Sequence, residues 1–136
     1  MTSRFIDTNI FLRYLTNDDP VKAKRAEALF REAVHGKAAL TTSLLVIAEI
    51  VSTLESFYKL DKSEVASRIE KILNTRNLDC PDSTLIMMAL DLYVQQNIDF
   101  IDAYHTYWLK EQGTKRIVTY DRKHFSRVPW LEIEEP

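Results

Sequence analysis

Residues 5–12 read Phe-Ile-Asp-Thr-Asn-Ile-Phe-Leu. Two apolar residues are followed by an acid, a hydroxyl and an amide, and apolar residues at helical spacing come next. This pattern predicts a short buried strand that stops at Asp7 and a helix that opens directly after it. Because ligands of open α/β sheets bind beyond the carboxyl ends of the strands, Asp7 is a candidate site residue. The alternative is that Asp7 or Asn9 only caps the helix.

Length and composition favour one domain over residues 1–136, large enough to bury roughly two-thirds of its unfolded surface. The single cysteine, Cys80, excludes an internal disulfide and favours a reducing compartment, so we expect a cytoplasmic protein. No apolar run approaches the roughly 18 residues of a membrane span, so no membrane partner is expected. The net charge of −2 argues against a broad basic groove. It does not exclude a polyanionic substrate, because acids that bind a cation would be neutralised.

Hydrophobic periodicity and capping residues predict strands alternating with helices. After the first strand and helix, helices are expected at 20–35, 43–58, 61–74, 85–96 and 99–112. Further strands are expected at 38–41, 78–81, 115–119 and 128–133. This alternation is typical of an α/β fold with a parallel sheet flanked by helices. Since the chain has only two glycines, it contains no glycine-rich phosphate loop.

Two helices carry polar faces whose role the sequence leaves open. On helix 20–35 the cations are Lys22, Lys24, Arg25 and Arg31. A solvated face explains these cations, and a phosphate-contacting edge is the alternative. On helix 43–58 the expected core stripe is Leu44, Ile47, Ala48, Val51, Leu54 and Tyr58. Glu49 lies on the opposite arc, where spacing alone makes it a solvated surface residue.

Four acids stand where strands end or where a helix begins. Asp7 and Asp121 follow strands, whereas Asp99 fits the N-cap and Asp102 the third position of one helix. If four carboxylates met at the sheet edge about 5 Å apart, each ionised pair would repel by on the order of 3 kcal/mol. Helix dipoles, at about 0.3–1 kcal/mol per acid, are too weak to offset that repulsion. Such a cluster therefore needs a cation or bound protons.

Oxygen ligands without a histidine partner favour Mg²⁺ or Mn²⁺ over zinc. Such ions clamp phosphates and activate water, so the expected reaction is hydrolysis of a phosphate ester. Nucleophilic catalysis by serine or cysteine is not favoured, because His35, His105 and His124 lie in separate segments and Cys80 has no evident base. His105 follows Asp102 by three residues and could be a ligand, although a helix-surface or core histidine explains it as well.

Four motifs in order resemble those of PIN-domain proteins. They are Phe-Ile-Asp-Thr-Asn-Ile-Phe-Leu at 5–12, Ser-Leu-Leu-Val-Ile-Ala-Glu-Ile at 43–50, Asp-Phe-Ile-Asp-Ala at 99–103 and Val-Thr-Tyr-Asp-Arg-Lys-His-Phe at 118–125. Within that family the chain most resembles the VapC-type ribonuclease toxins of prokaryotic toxin–antitoxin modules. The resemblance covers nearly the whole chain. It implies a three-layer α/β/α sandwich with a central, mostly parallel sheet, a metal-dependent endoribonuclease acting on RNA, a small cognate antitoxin that occludes the site, and a homodimer.

The resemblance also implies which residues form the site. The family's acidic, metal-binding positions fall on Asp7, Glu49, Asp102 and Asp121. It thus assigns Glu49 a role that spacing alone does not indicate. Asn9 matches an amide that orients the first acid, Thr119 a hydroxyl beside the fourth, and Asp99 is a supporting carboxylate or a helix cap. For the RNA substrate that the resemblance implies, the candidates for contacts with phosphates are Arg13, Arg122 and Lys123.

Two other classes of function remain open at this stage. A phosphatase with Asp7 as nucleophile would normally carry a second acid two residues later, where Asn9 stands. A catalytically silent module that binds nucleic acid or protein is the other alternative. Measured Mn²⁺ binding would distinguish the metal-dependent nuclease from the silent module.

Overall fold

The computed structural model describes residues 2–136, which form seven helices and five short strands. The helices are α1 (Thr8–Leu15), α2 (Pro20–Val34), α3 (Leu44–Ser56), α4 (Lys62–Leu73), α5 (Ser83–Gln95), α6 (Phe100–Glu111) and α7 (Arg122–Phe125). The strands are β1 (Arg4–Phe5), β2 (Leu40–Thr41), β3 (Leu78–Asp79), β4 (Arg116–Val118) and β5 (Glu132–Glu134). The chain divides after Asp82 into two compact units: unit 1 ends beyond β3, and unit 2 begins with α5. No helix within residues 2–136 combines the length and apolar character needed to cross a membrane.

Unit 1 contains a three-stranded parallel sheet in the order β1-β2-β3. Strands β1 and β2 pair with Arg4 opposite Leu40. The buried hydroxyl of Thr42 donates to the carbonyl of Ile6 at 3.0 Å and ties together the segments that leave these two strands. Because the strands are parallel, their carboxyl ends lie at one edge of the sheet, and Asp7 follows β1 at that edge.

Aromatic rings hold α1 against α2 in unit 1. Phe11 stacks on Phe30 with ring centroids 5.3 Å apart, and Tyr14 approaches Phe30 at 4.6 Å. Both phenylalanines are buried. Helix α2 begins at Pro20 because Asp19 accepts the N–H of Lys22 at 3.1 Å and proline suits the first helical turn.

The core face of α3 differs from the expected stripe. Leu44, Ala48 and Tyr58 are only half-buried, whereas Val46 and Ile50 are buried. Helix α3 packs against both α1 and α4. Because two helices cover α3, its buried face is wider than a single stripe and includes Val46 and Ile50.

Helices α5 and α6 pack together in unit 2. Tyr93 meets Phe100 edge-on with ring centroids 6.3 Å apart, and both side chains are buried. Strands β4 and β5 pair in parallel with Ile117 opposite Ile133. Salt bridges reinforce this pair on its exposed side, where the Arg116 guanidinium lies 3.2 Å from Glu132.

The structure confirms the α/β class with parallel strands, and each predicted helix is present with ends shifted by a few residues. The strand expected at 128–133 is displaced, because residues around Pro129 form turns and β5 begins only at Glu132. The one-turn helix α7 was not predicted. It is too short to show helical periodicity, although its cap, Asp121, is visible in the sequence.

Candidate functional site

Asp7 lies between β1 and α1 and is the N-cap of α1. Its Oδ1 accepts the N–H of Thr8 at 2.8 Å, which confirms the capping role that the sequence left open. The side chain is exposed, as is that of Asn9 one residue into the helix from Thr8. A carboxylate can accept several hydrogen bonds, so the cap bond leaves oxygen lone pairs of Asp7 available to a ligand.

Glu49 lies in the middle of α3 and is exposed, as the spacing predicts. Its backbone carbonyl accepts the hydroxyl of Thr53 at 2.9 Å. Leu45, one turn earlier on the same helix, is 79% exposed, so this face of α3 is open along its length. Nothing in the local packing of α3 distinguishes Glu49 from an ordinary surface acid.

The first turn of α6 carries two aspartates, Asp99 and Asp102. Asp99 occupies the N-cap position, but its side chain makes no capping hydrogen bond. Asp99 therefore occupies the N-cap position that the sequence predicts, but its side chain does not cap the helix. Asp102 is half-buried, and its pKa is raised by burial first and then by the negative charges of Asp99 and Asp121. His105 and His124 oppose this shift in part.

Asp121 is held in the β4–α7 turn by His124, which contacts its carboxylate, and by Thr119, which accepts its backbone N–H. Its Oδ1 accepts the backbone N–H of His124 at 3.0 Å, and the Nδ1 of the His124 ring lies 2.9 Å from both carboxylate oxygens. The hydroxyl of Thr119 accepts the backbone N–H of Asp121 at 3.0 Å. The His124 N–H is the main cause of a lowered pKa for Asp121, and the ring of His124 adds to it. Thr119 thus fixes the turn in which Asp121 lies.

His124 is a functional candidate that sequence reasoning missed. Its ring supports Asp121 through the three-residue spacing of α7. The only available signal was that spacing, which has meaning once residues 122–125 are known to be helical. His105, in contrast, is exposed on α6 and lies with its ring centroid 6.3 Å from that of Tyr104.

Two of the three candidate phosphate contacts are already paired. The Arg13 guanidinium lies 3.2 Å from Asp18, and that of Arg122 lies 3.3 Å from Glu135. Lys123 is exposed and forms no ion pair with any residue in the range 2–136. Because exposed ion pairs contribute little, a phosphate can replace the acid in either pair.

The acids of unit 2 carry the kind of donor atom that a hard divalent cation prefers. Asp99, Asp102 and Asp121 offer only oxygen atoms, and burial first and then the charges of Asp99 and Asp121 raise the pKa of Asp102. Across residues 2–136, no group of three or more His, Cys, Asp or Glu side chains is arranged to hold a metal ion directly. Magnesium nevertheless keeps several waters and commonly binds through one or two carboxylates together with substrate phosphates. A pair such as Asp102 and Asp121 therefore matches its chemistry.

Comparisons with known proteins identify the family of the chain. A VapC ribonuclease of Aquifex aeolicus (strain VF5) is 27% identical over 120 residues, which are 88% of this chain and 88% of that protein. A crystal structure of VapC20 from Mycobacterium tuberculosis, described as a sarcin-ricin-loop-cleaving toxin, covers 93% of this chain and 95% of its own at 15% identity and a TM-score of 0.41. The model of the PIN domain family matches residues 4–131. Since that match spans nearly all of the sequence, the chain belongs to the PIN domain family.

Proposed function

We propose that this protein is a metal-dependent endoribonuclease that hydrolyses RNA phosphodiester bonds and is the toxin of a toxin–antitoxin pair. The observation that carries the proposal is the placement of three acids, Asp99 and Asp102 at the start of α6 and Asp121 at the start of α7. Burial and then the charges of Asp99 and Asp121 raise the pKa of Asp102. Perturbed acids of this kind concentrate at functional sites. The similarity to a VapC ribonuclease along 88% of both chains supports the choice of RNA as substrate. The family match at 4–131 supports a single nuclease domain.

The proposed metal ligands are Asp7, Glu49, Asp102 and Asp121. A divalent ion, Mg²⁺ or Mn²⁺, supplies when bound the positive charge and the Lewis acidity that phosphodiester hydrolysis requires. The protein contributes carboxylates whose directions are set in advance. Asp121 is oriented by His124 and by the turn that Thr119 fixes, and Asp7 by the N–H of Thr8. Asn9 is proposed to orient Asp7 further.

Positively charged side chains would position the RNA. Arg122 and Lys123 follow Asp121 directly in α7, and Arg13 lies in α1 about 1.7 turns after Asp7. Contacts from these residues to phosphates fix the register of the strand without selecting its sequence. The sequence preference of the enzyme is therefore expected to come from other residues.

A nuclease of this kind needs restraint inside its host. We propose a small cognate antitoxin that covers the acids, a cytoplasmic location and a homodimer. Affinity purification of the protein from its native cells, followed by mass spectrometry and measurement of the mass of the complex, tests the antitoxin and the homodimer together. Recovery of the chain only as a free monomer would contradict both.

The decisive experiment is cleavage of a labelled RNA by the purified protein with Mg²⁺ or Mn²⁺ and with a chelator. We expect cleavage only with the metal, and a loss of at least about 10²-fold in Asp102→Asn and Asp7→Asn. The matched control is Asp91→Asn, which removes an exposed acid of α5 that has no proposed role. Cleavage in the presence of chelator, or full activity of both site variants, would refute the proposal. RNA binding without cleavage by the parent protein would favour the silent binding module.

A further inference from the structure

An open cavity of about 450 Å³ lies between α1 and α2 in unit 1. Its apolar lining comes from Ile10 on α1 and from Ala26 and Leu29 on α2. The stacked, buried rings of Phe11 and Phe30 hold the two helices together, so the two walls of the cavity keep a fixed spacing. Its volume lies within the range of about 300–1,000 Å³ that is typical of small-molecule sites.

Three cations line the same cavity: Arg13, Lys22 and Arg25. None of the described residues that line it carries a carboxylate. Lys22 and Arg25 are three residues apart on α2 and therefore share one helix face. Within residues 2–136 neither of them forms an ion pair, whereas Arg13 is paired with Asp18. The cavity is thus a local positive site in a chain whose net charge is −2.

We propose that this cavity binds one nucleotide of a single-stranded RNA. Lys22 and Arg25 contact the phosphate, and the base lies against Ile10 and Leu29. The inference rests on the proposed function, since it takes RNA as the substrate. It goes further by assigning a substrate subsite to unit 1 and a role to cations of α2 that the sequence explains equally well as a solvated face.

A nucleotide fits these walls better than an acidic peptide does. An apolar lining is complementary to the flat face of a base, and unpaired cations are complementary to a phosphate. The carboxylate of an acidic side chain would use the cations but leave the apolar surface uncovered. Asn9 also lines the cavity, and its amide can donate to and accept from a base edge. Because Asn9 is two residues from Asp7, or about 3 Å along the helix axis, an RNA strand seated here passes the first acid.

The main test is binding of a short fluorescent single-stranded RNA to the full chain in chelator, followed by anisotropy at several salt concentrations. We expect the double variant Lys22→Ala/Arg25→Ala to bind about tenfold more weakly and its salt dependence to fall by about 0.7 per lost phosphate contact. The control is Lys24→Ala, which removes one positive charge from α2, half the change of the double variant, at a residue that does not line the cavity. Its salt dependence should equal that of the parent protein. Melting curves show whether each variant folds.

A second measurement examines the apolar lining by calorimetry with a nucleoside 5′-monophosphate and with inorganic phosphate. The parent protein should bind the nucleotide more tightly than it binds inorganic phosphate. Leu29→Ser should reduce the difference between these two affinities without abolishing phosphate binding. Equal affinity of the parent for both ligands would overturn the nucleotide assignment. It would leave only an anion site.

The outcomes separate this inference from the proposed function. If metal-dependent cleavage is intact but the double variant binds RNA as Lys24→Ala does, the cavity proposal fails and the nuclease stands. If the parent protein neither binds nor cleaves RNA, both fail. If poly-glutamate binding depends on Lys22 and Arg25 while RNA binding does not, the cavity serves an acidic protein segment and the proposal is overturned.

Discussion

The β4–α7 turn presents Asp121, whereas the first turn of α6 presents Asp99 and Asp102, and the two turns affect the pKa of an aspartate in opposite directions. Asp121 accepts the His124 N–H and contacts the His124 ring, and its pKa is lowered. At α6, Asp99 makes no capping bond and the pKa of Asp102 is raised. The ionised carboxylate of Asp121 therefore stabilises the start of α7. The ionised carboxylate of Asp102 does not stabilise the folded state in the same way, because its pKa is raised.

The difference shows where a ligand would have the most effect. A dipole contribution of about 0.3–1 kcal/mol favours the acids at the start of α6, but burial and repulsion from two neighbouring carboxylates outweigh it at Asp102. A cation placed there would relieve the repulsion. Asp121, already stabilised by His124, would contribute a carboxylate held in a fixed direction.

Among the variants that test this comparison, the largest effect should come from removing the ring that orients Asp121. His124→Ala removes the ring beside Asp121 but keeps the backbone N–H that caps α7. Orienting partners of metal ligands typically contribute about 10–100-fold, so RNA cleavage should fall by that factor. His35→Ala, an exposed histidine at the end of α2, is the control in the same cleavage assay. Unchanged activity of His124→Ala would mean that the turn alone orients Asp121.

The next effect concerns the binding of Mn²⁺ by Asp102. At Mn²⁺ about 100 times above its dissociation constant, binding should stabilise the parent protein by about 2.7 kcal/mol, a rise in melting temperature of about 5–10 °C. Asp102→Asn should lose most of that rise in differential scanning calorimetry, and Asp91→Asn should keep it. An equal rise in Asp102→Asn would show that Asp102 does not contribute to metal binding.

Without metal, Asp102→Asn should be more stable than the parent protein near pH 7. A raised folded-state pKa means that ionisation of Asp102 destabilises the fold as pH rises from the ordinary value of 3.8 through the raised pKa. The amide removes that penalty, which solvent screening keeps below about 1 kcal/mol because Asp102 is only half-buried. Melting temperatures in chelator should converge as pH falls to 3.8 and below. Strong destabilisation of the variant would instead make Asp102 a structural cap.

Asp121→Asn should behave in the opposite way. Its lowered folded-state pKa gives the parent protein a stability that is present above 3.8 and is lost as pH falls through the lowered pKa. The variant should therefore melt below the parent near pH 7, and the gap should close in acid. The same pH series in chelator measures both aspartates. If Asp102→Asn and Asp121→Asn changed the melting temperature in the same direction, the two turns would not differ in how they treat a charged aspartate.

The sequence predicts the features that depend on short-range chemistry. Pro20 after Asp19 and Asp61 before Lys62 mark helix starts that lie at the expected places. Gly113 has a positive φ of 82° directly after the C-cap of α6, a conformation that glycine adopts readily, so the end of that helix is also visible in the sequence.

The features of the site that the sequence does not predict depend on where side chains point, and residue types alone do not determine that direction. Asp99 was recognised as a cap position, but its side chain makes no capping bond. His124 was missed because α7 has a single turn. Glu49 is as exposed as its spacing indicates, so only the family resemblance points to it. The four-acid site stays a prediction that the cleavage assay tests.

The smallest effect isolates repulsion between neighbouring acids. Asp99→Asn should raise the melting temperature slightly in chelator, because the Asp99 charge raises the pKa of Asp102 and no capping bond is lost. Asparagine is also a good N-cap residue, so the start of α6 should be kept. The gain should be smaller than that of Asp102→Asn, since burial, the main cause of the raised pKa, remains. Carboxyl NMR titration should show the pKa of Asp102 moving down toward its ordinary value. A lower melting temperature with no movement of that pKa would mean that Asp99 acts on the helix and not on Asp102.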